Sequence, residues 1–469
     1  MDLNHKLKLF NTLSKQKEEF TPIKPGQVSL YLCGPTVYDR ATIGNFRTYI
    51  FGDVLRRVLT YNNYTVIYVQ NITDVGHLTD EENDEGEDKL AASAEKHGKS
   101  AWDVADSFIK LYQDDSQKLN ITKPTITCRA TDHIDDQIEM IKKLEKGGFT
   151  YYTSDGIYFN TSKQKDYGKL AKLDIDGLKE GARVNKNPEK KNLTDFALWK
   201  FSPNPQTGKA KRQMEWPSPF GIGFPGWHIE CSAMSIKYLG EPFDIHGGGV
   251  DLIPIHHTNE IAQNEALYGH KTVNYWLHGG FIMVENSRMG KSVGNAYTIE
   301  DIITRGFDPL SFRYLTFTAH YRQSLNFTWE ALEQANVAYQ KLWHTVTALY
   351  PFYQNHSLEF NKEWNNKFLE AINDDLNMPK AIAIVWNMIK SLTNSREVLE
   401  TLLKFDEVLG LSLRKKVEDV YLVMQEPETK KMVHERKEAR DKKDWAVGDE
   451  LRDKLQRRLQ RLGYEIKDL

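Results

Sequence analysis

An α/β protein built on a parallel sheet, carrying an insertion and followed by an all-helical region, is what this sequence predicts, and three observations carry that expectation. A strand–helix–strand pattern lies near the start, two further strand patterns ending in glycines recur much later, and beyond about Asp308 the chain reads as nearly all helical. A chain of 469 residues exceeds one compact core, so two to four domains are expected.

VSLYLC, from Val28, reads as a short buried strand that ends at the turn residues Gly34 and Pro35. From Ile43 the apolar residues Phe46, Ile50, Val54, Leu55 and Val58 recur at helical spacing. TVIYVQ, from Thr65, is a second strand rich in β-branched and aromatic residues. Such a βαβ unit is normally right-handed and part of a parallel sheet, with ligands held at the carboxyl ends of its strands. After a charged helix-forming stretch, GGFTYYTSDGIYFNTS reads as a hairpin around Ser154-Asp155-Gly156, and a polar, turn-rich segment follows. PFDIHGGG and VNYWLHGGFIMV resume the sheet. The expected domains are a Rossmann-like α/β domain in two halves (1–124 and 216–310), an insertion at 125–215, a helical region at 311–420 and a C-terminal region at 421–469.

Composition excludes several classes. No apolar run approaches the ~20 residues of a membrane span, and the start lacks an export signal. Three cysteines without a CxxC pair suggest reduced thiols, and the expected location is the cytoplasm. A net charge of -3 does not advertise nucleic-acid binding, which must rest on local patches.

HHTNE places His256 and Glu260 four apart, on one face of a helix. Cys33 and Cys231 each lie beside small residues at an expected strand-to-loop junction. Two thiolates, an imidazole and a carboxylate suit Zn²⁺; the same residues also fit small buried hydrophobes and an ordinary helix histidine, and the residues alone leave both readings open. ATIGN, from Ala41, opens a helix after a strand and turn, so its free N–H groups form an anion site that Gly44 leaves open to a nucleotide. SRMGKSVGN is a loop carrying Arg288, Lys291 and Ser292, suited to placing positive charge on phosphates as charge develops in a transition state. In HGGGVDLIP the glycines, Gly248 among them, allow a ligand against bare backbone, and Asp251 can accept from ribose hydroxyls. Simple packing, a solvated basic loop and a capped turn remain the plainer accounts of these three segments.

Together the segments resemble cysteinyl-tRNA synthetases, members of the class I aminoacyl-tRNA synthetases, over nearly the whole chain. CGPTVYDRATIGN is similar to the family signature CGPTVYDxAHIGH/N, and RMGKSVGN to the loop KMSKSLGN; GWHIECSAM, HGGGVDLIPIHHTNE and DDLNMPKA match in order and spacing. The resemblance implies an ATP-dependent ligase that forms cysteinyl-adenylate from L-cysteine and transfers it to tRNA-Cys. It implies one Zn²⁺ per chain on Cys33, Cys231, His256 and Glu260, contacted by the substrate thiolate. It also implies Mg²⁺ with ATP, and an amino-acid pocket lined by Thr73 and Trp227. Catalytic roles then fall to Thr42, Asn45 and Lys291, and the expected assembly is a monomer without membrane contact. The C-terminal segment, dense in Lys and Arg, is expected to meet tRNA, with Arg436, Arg440 and Trp445 as contacts.

The chain departs from the pattern at Thr42, where the family has His, and at Gly290, where it has Ser; Arg288 keeps the charge of a lysine. A working but slower adenylation step is expected. Two rivals stand beside this reading. One is a cysteine:amino-sugar ligase of the same family, against which the segment from Lys430 argues. The other is a non-catalytic RNA-binding relative.

Overall fold

A single parallel sheet organises the N-terminal part of this computed structural model, which describes residues 6–80, 85–173, 187–202, 212–290, 293–353 and 360–460. Its strands are β1 (Gln27–Leu32), β2 (Thr65–Ile72), β3 (Ile126–Arg129), β4 (Phe243–Gly249) and β5 (Val273–Gly279). They are all parallel and lie in the order β3-β2-β1-β4-β5, so the direction of winding reverses between β1 and β4. In open α/β sheets that reversal leaves a crevice at the carboxyl ends of the strands. Three helices flank it: α1 (Ile43–Tyr61), α2 (Trp227–Leu239) and α3 (His256–Tyr268).

The residues explain the elements. Val28, Leu30, Tyr31 and Leu32 are buried, as a central strand covered on both faces requires. Along α1 the buried residues include Phe46, Ile50, Val54, Leu55 and Val58, the stripe expected from the sequence. Gly34, at the exit of β1, has no room for a side chain, since a Cβ there would lie 1.7 Å from the Asn71 carbonyl oxygen on β2. Arg47 reaches from α1 to the carbonyls of Gly280 (3.0 Å), Phe281 and Gln323 and so pins the chain leaving β5. Burial lowers its guanidinium to about 10.

Strand β3 differs from expectation. Ile126–Arg129 lies in the stretch assigned to the insertion, yet it pairs in parallel with β2 as an edge strand of the main sheet. At four residues, ITCR is too short and mixed to show periodicity. The separate antiparallel sheet starts at Thr150–Thr153, continues through Gly156–Phe159 and Phe196–Phe201, and ends at Gly223–Pro225, beyond residue 215. The hairpin around Ser154-Asp155-Gly156 is present. Buried Asp195 accepts hydrogen bonds from Thr161 N, Thr161 Oγ1 and Tyr151 Oη at 2.8 Å and holds this sheet to its neighbouring turn.

The chain divides into two units. The first runs to Arg305 and takes in Ala319–Phe327 and Asn373–Leu376 as well. There Asp375, in the left-handed region at φ 60, accepts from Phe10 N, Tyr321 Oη and Arg322 Nε, each at 2.8 Å. The second unit is helical, as expected beyond Asp308. Its helices include Pro309–Thr316, Trp329–Ala348, Met378–Ser391, Ser395–Leu409 and Trp445–Gln460. Within it, buried Arg313 donates to the Leu409 carbonyl (2.7 Å), and Asp406 accepts from the amides of Leu411 and Leu413, each at 2.7 Å. Among the described residues no helix is long and apolar enough to cross a membrane.

Candidate active site and metal centre

The crevice at the carboxyl ends of β1 and β4 is a cleft of about 880 Å³ within the first unit. Its wall includes the start of α1. Thr42 caps that helix: its hydroxyl lies 3.5 Å from Asn45 N, while Asn45 Oδ1 accepts from Thr42 N and Oγ1, each at 2.9 Å. Both residues, with Gly44 between them, line the cleft. A Cβ on Gly44 would approach Met289 of the RMGKS loop at 3.3 Å, so this glycine keeps helix and loop in close approach. The helix start is also fixed from outside, since Ile43 N donates to Tyr297 O at 2.8 Å.

Arg288 and Gly290 line the cleft as well, and Asn295 ties their loop by accepting from Gly290 N at 2.8 Å. Lys291 and Ser292 lie outside the described residues. Asp251, in a 3-10 turn after β4, is exposed in the cleft wall beside Gly249. Gly248 is not part of that wall; a Cβ there would meet Leu252 and His257. Gly249, one residue on, takes the place expected for it.

At the base of the cleft lie Cys33, Cys231 and His256, with Glu260 buried behind them. Donor atoms of these four residues lie within 4.8 Å of one another. Cys33 follows β1 as expected, but Cys231 sits inside α2, not at a strand end; helical burial rather than a loop delivers it. His256 and Glu260 share the face of α3 that their spacing predicted, with His256 Nε2 3.1 Å from Glu260 Oε1. The hydrogen bond from Cys33 holds the Cys231 thiol down to about 7 against burial, whereas burial pushes Cys33 well up. For His256, burial is outweighed by Glu260 and Cys231, which raise it to about 10; for Glu260, burial is outweighed by His246 and His256, which bring it down to about 2. A divalent cation can displace the protons that these four groups share, and two sulfurs with N and O donors fit zinc.

A second grouping, Cys33, His246, His257 and Glu260, shares two of these donors. His246 stacks on Trp276 and bonds Glu260 Oε2 at 2.9 Å, and His257 bonds His278 at 2.7 Å. Neither histidine lines the cleft, whereas three of the first four residues do. The first grouping is thus the one a ligand in the cleft can reach.

Thr73 and Trp227 line the cleft next to this base, with the Trp227 ring 4.3 Å from the His256 ring. From Asn71, which also lines the cleft, through Thr73 runs a buried polar chain that sequence reasoning missed. Asn71 Nδ2 donates to Thr73 Oγ1 (3.1 Å), Thr73 Oγ1 lies 3.1 Å from Glu230 Oε2, and Glu230 Oε1 lies 2.7 Å from His77 Nε2. The signal was available as polar residues among apolar ones, NIT at the end of β2 and HIEC in α2.

Of the C-terminal residues expected to touch RNA, Arg436 is buried and so cannot serve as expected, because its position falls on the inner face of helix Pro427–Asp441. Arg440 and Trp445 are exposed. Many neighbouring cations are already paired within the segment, among them Arg458 with Glu426 and Glu428, each at 2.6 Å.

The sequence matches the tRNA synthetases class I (C) catalytic domain over residues 19–337 and the DALR domain over 367–414. It is 47% identical to cysteine–tRNA ligase 1 of Burkholderia lata, covering 98% of this chain and 95% of that protein. It is 42% identical to cysteine–tRNA ligase of Treponema denticola, covering 96% of each. Among solved structures it resembles a LeuRS–tRNA–LeuAMS ternary complex of Agrobacterium radiobacter, with TM-score 0.62 and 10% identity over 87% of this chain and 86% of that one. A methionyl-tRNA synthetase of Mycobacterium tuberculosis with methionyl-adenylate gives TM-score 0.53 and 15% identity over 86% and 94%. These two likenesses concern the fold alone.

Proposed function

Since the chain belongs to the class I cysteine–tRNA ligases, we infer that it activates L-cysteine with ATP and transfers the cysteinyl group to tRNA-Cys, choosing cysteine through zinc on Cys33, Cys231, His256 and Glu260. The observation that carries the selection is the convergence of those four donor sets at the base of the cleft. Bound there, zinc would supply a soft Lewis-acid contact for the substrate sulfur. Serine and cysteine differ by one atom, and a shaped pocket separates such pairs by only ~10². A zinc ion held by this donor set would prefer soft sulfur far more than a neutral hydroxyl. Because Glu260 stands behind the cleft and the other three donors face it, an approaching ligand meets the two sulfurs and the imidazole.

The remaining residues bind and orient. The start of α1 around Gly44, in the cleft wall, suits ATP phosphates, and Asp251 suits the ribose hydroxyls. Arg288 and Lys291 provide positive charge as the cysteine carboxylate attacks the α-phosphate, releasing pyrophosphate with its Mg²⁺. A hydroxyl of the terminal ribose of tRNA then attacks the activated carbonyl, the carbonyl–phosphate bond breaks, and AMP leaves. Neither step needs a protein nucleophile, so positioning and charge supply the acceleration. Arg440, Trp445 and the C-terminal helices are the surface we assign to tRNA, and the enzyme works as a cytoplasmic monomer.

Metal analysis of the purified protein, combined with cysteine- and serine-dependent pyrophosphate exchange, tests the reading. About one zinc per chain and activation of cysteine far above serine are expected. Absence of zinc, or comparable activation of serine, overturns the selection mechanism.

A further inference from the structure

We propose that Asn71 and Glu230 are positioning residues that hold the Thr73 hydroxyl as a pure hydrogen-bond acceptor, which receives the α-ammonium group of the amino-acid substrate. This rests on the ligase reading above and deepens it at the amino-acid subsite.

The direction of the polar chain is fixed at one end by a group that can only donate. Gly34 N–H donates to Asn71 Oδ1 at 2.9 Å, which turns Asn71 Nδ2 toward Thr73. An amide nitrogen donates, so Thr73 Oγ1 accepts on that side. The hydroxyl has a single hydrogen, and its other partner is Glu230 Oε2 at 3.1 Å. Glu230 Oε1 is engaged by His77 Nε2 at 2.7 Å. With Oε1 taken up by His77, Oε2 is the carboxyl oxygen that accepts from the Thr73 hydroxyl. Thr73 Oγ1 is then left with one lone pair and no hydrogen. The residue cannot turn away, because Thr73 N donates to Pro35 O (3.0 Å) and Thr73 O accepts from Val37 N (3.1 Å).

Thr73 and Asn71 line the cleft beside Trp227 and Cys231, whereas Glu230 and His77 lie behind it. An oxygen without a hydrogen repels a carboxylate and welcomes a cation. The α-ammonium is the group of an amino acid that brings hydrogens to such an oxygen.

Cysteine-dependent pyrophosphate exchange by the holoenzyme provides the test, with 3-mercaptopropionate, which is cysteine without the ammonium, as a competitive inhibitor. Thr73→Val is expected to raise KM for cysteine at least about ten-fold, with a much smaller change in kcat, while inhibition by 3-mercaptopropionate stays within about two-fold. Thr73→Ser, which keeps the hydroxyl, restores KM. Glu230→Met raises KM in the wild-type background and adds little in the Thr73→Val background, as expected for residues acting through one contact. Should Glu230→Met fail to fold, Asn71→Leu takes its place in the same cycle. Equal weakening of cysteine and 3-mercaptopropionate, or additive effects in the double variant, would overturn the proposal. Loss of exchange by the wild-type holoenzyme would instead strike at the ligase reading itself.

Discussion

Replacing Thr42 with His sets stability against chemistry at one position. Thr42 is the N-cap of α1, with its hydroxyl 3.5 Å from Asn45 N and 2.9 Å from Asn45 Oδ1. Losing such a cap typically costs ~1 kcal/mol. Here the donor distance is long and Asn45 Oδ1 still caps Thr42 N, so the cost should fall near the lower end, about 0.5–1 kcal/mol. At about 2 cal/mol/K per residue of unfolding entropy, a unit of this size should lose only about 1 °C in Tm. An imidazole at the same helix start, beside Gly44, can donate to a phosphate and carry charge, which threonine cannot. One charge-assisted hydrogen bond made in the transition state corresponds to about ten-fold or more in rate. Thermal unfolding and cysteine-dependent pyrophosphate exchange therefore should move in opposite directions in Thr42→His. If Tm falls and exchange is unchanged, the threonine is harmless to chemistry and the expectation of slowed adenylation is refuted; if Tm is unchanged, the capping account fails.

Three further outcomes follow from the geometry. His246→Phe removes the imidazole that holds Glu260 Oε2 at 2.9 Å, and should weaken zinc about 10–100-fold in chelator competition. A loss as large as that of Cys231→Ser would place the ion on the second grouping instead. His278, fully buried, is pushed down to about 3 by burial and by His246, from an ordinary value of 6.5. The unfolded state therefore binds the extra proton: stability from this group is complete above about pH 6.5 and declines, by up to ~1.4 kcal/mol per pH unit, as pH falls toward 3. His278→Gln should flatten Tm against pH in that window, and an unchanged slope would contradict it. Asp375→Ala strands three donors in the first unit and should destabilise by about 3 kcal/mol, visible as a lowered denaturation midpoint, whereas Asp375→Asn, which tolerates the left-handed backbone, should cost less.

Periodicity reveals elements that are long or uniformly buried, and spacing reveals ligands that share an element. VSLYLC, TVIYVQ and the stripe from Phe46 to Val58 therefore emerge with nearly their observed bounds, as does the pair His256 and Glu260 on α3. ITCR does not, because four residues at a sheet edge carry no recognisable alternation. Cys231 was expected in the ligand set but on the wrong kind of element: in α2 the whole run from His228 to Ser235 is buried, so no amphipathic stripe marks it as a helix. Glu230 and Asn71 escaped notice because their meaning lies in hydrogen-bond direction, which exists only once β1, β2 and α2 are assembled. Arg436 shows the same limit for charge, since a cation count does not tell which side of a helix faces inward.

The place of Asn373–Leu376 in the first unit bears on how the enzyme can be made. During synthesis a domain ordinarily folds as it leaves the ribosome, at roughly 5–20 residues per second. Here Phe10 and Tyr321 must wait for Asp375, so translation has to pass well beyond the last strand of the parallel sheet before the opening segment finds its partner. A fragment cut at Arg305 would be permanently in that waiting state, with an amide near its own N-terminus still searching for a carboxylate that was never translated.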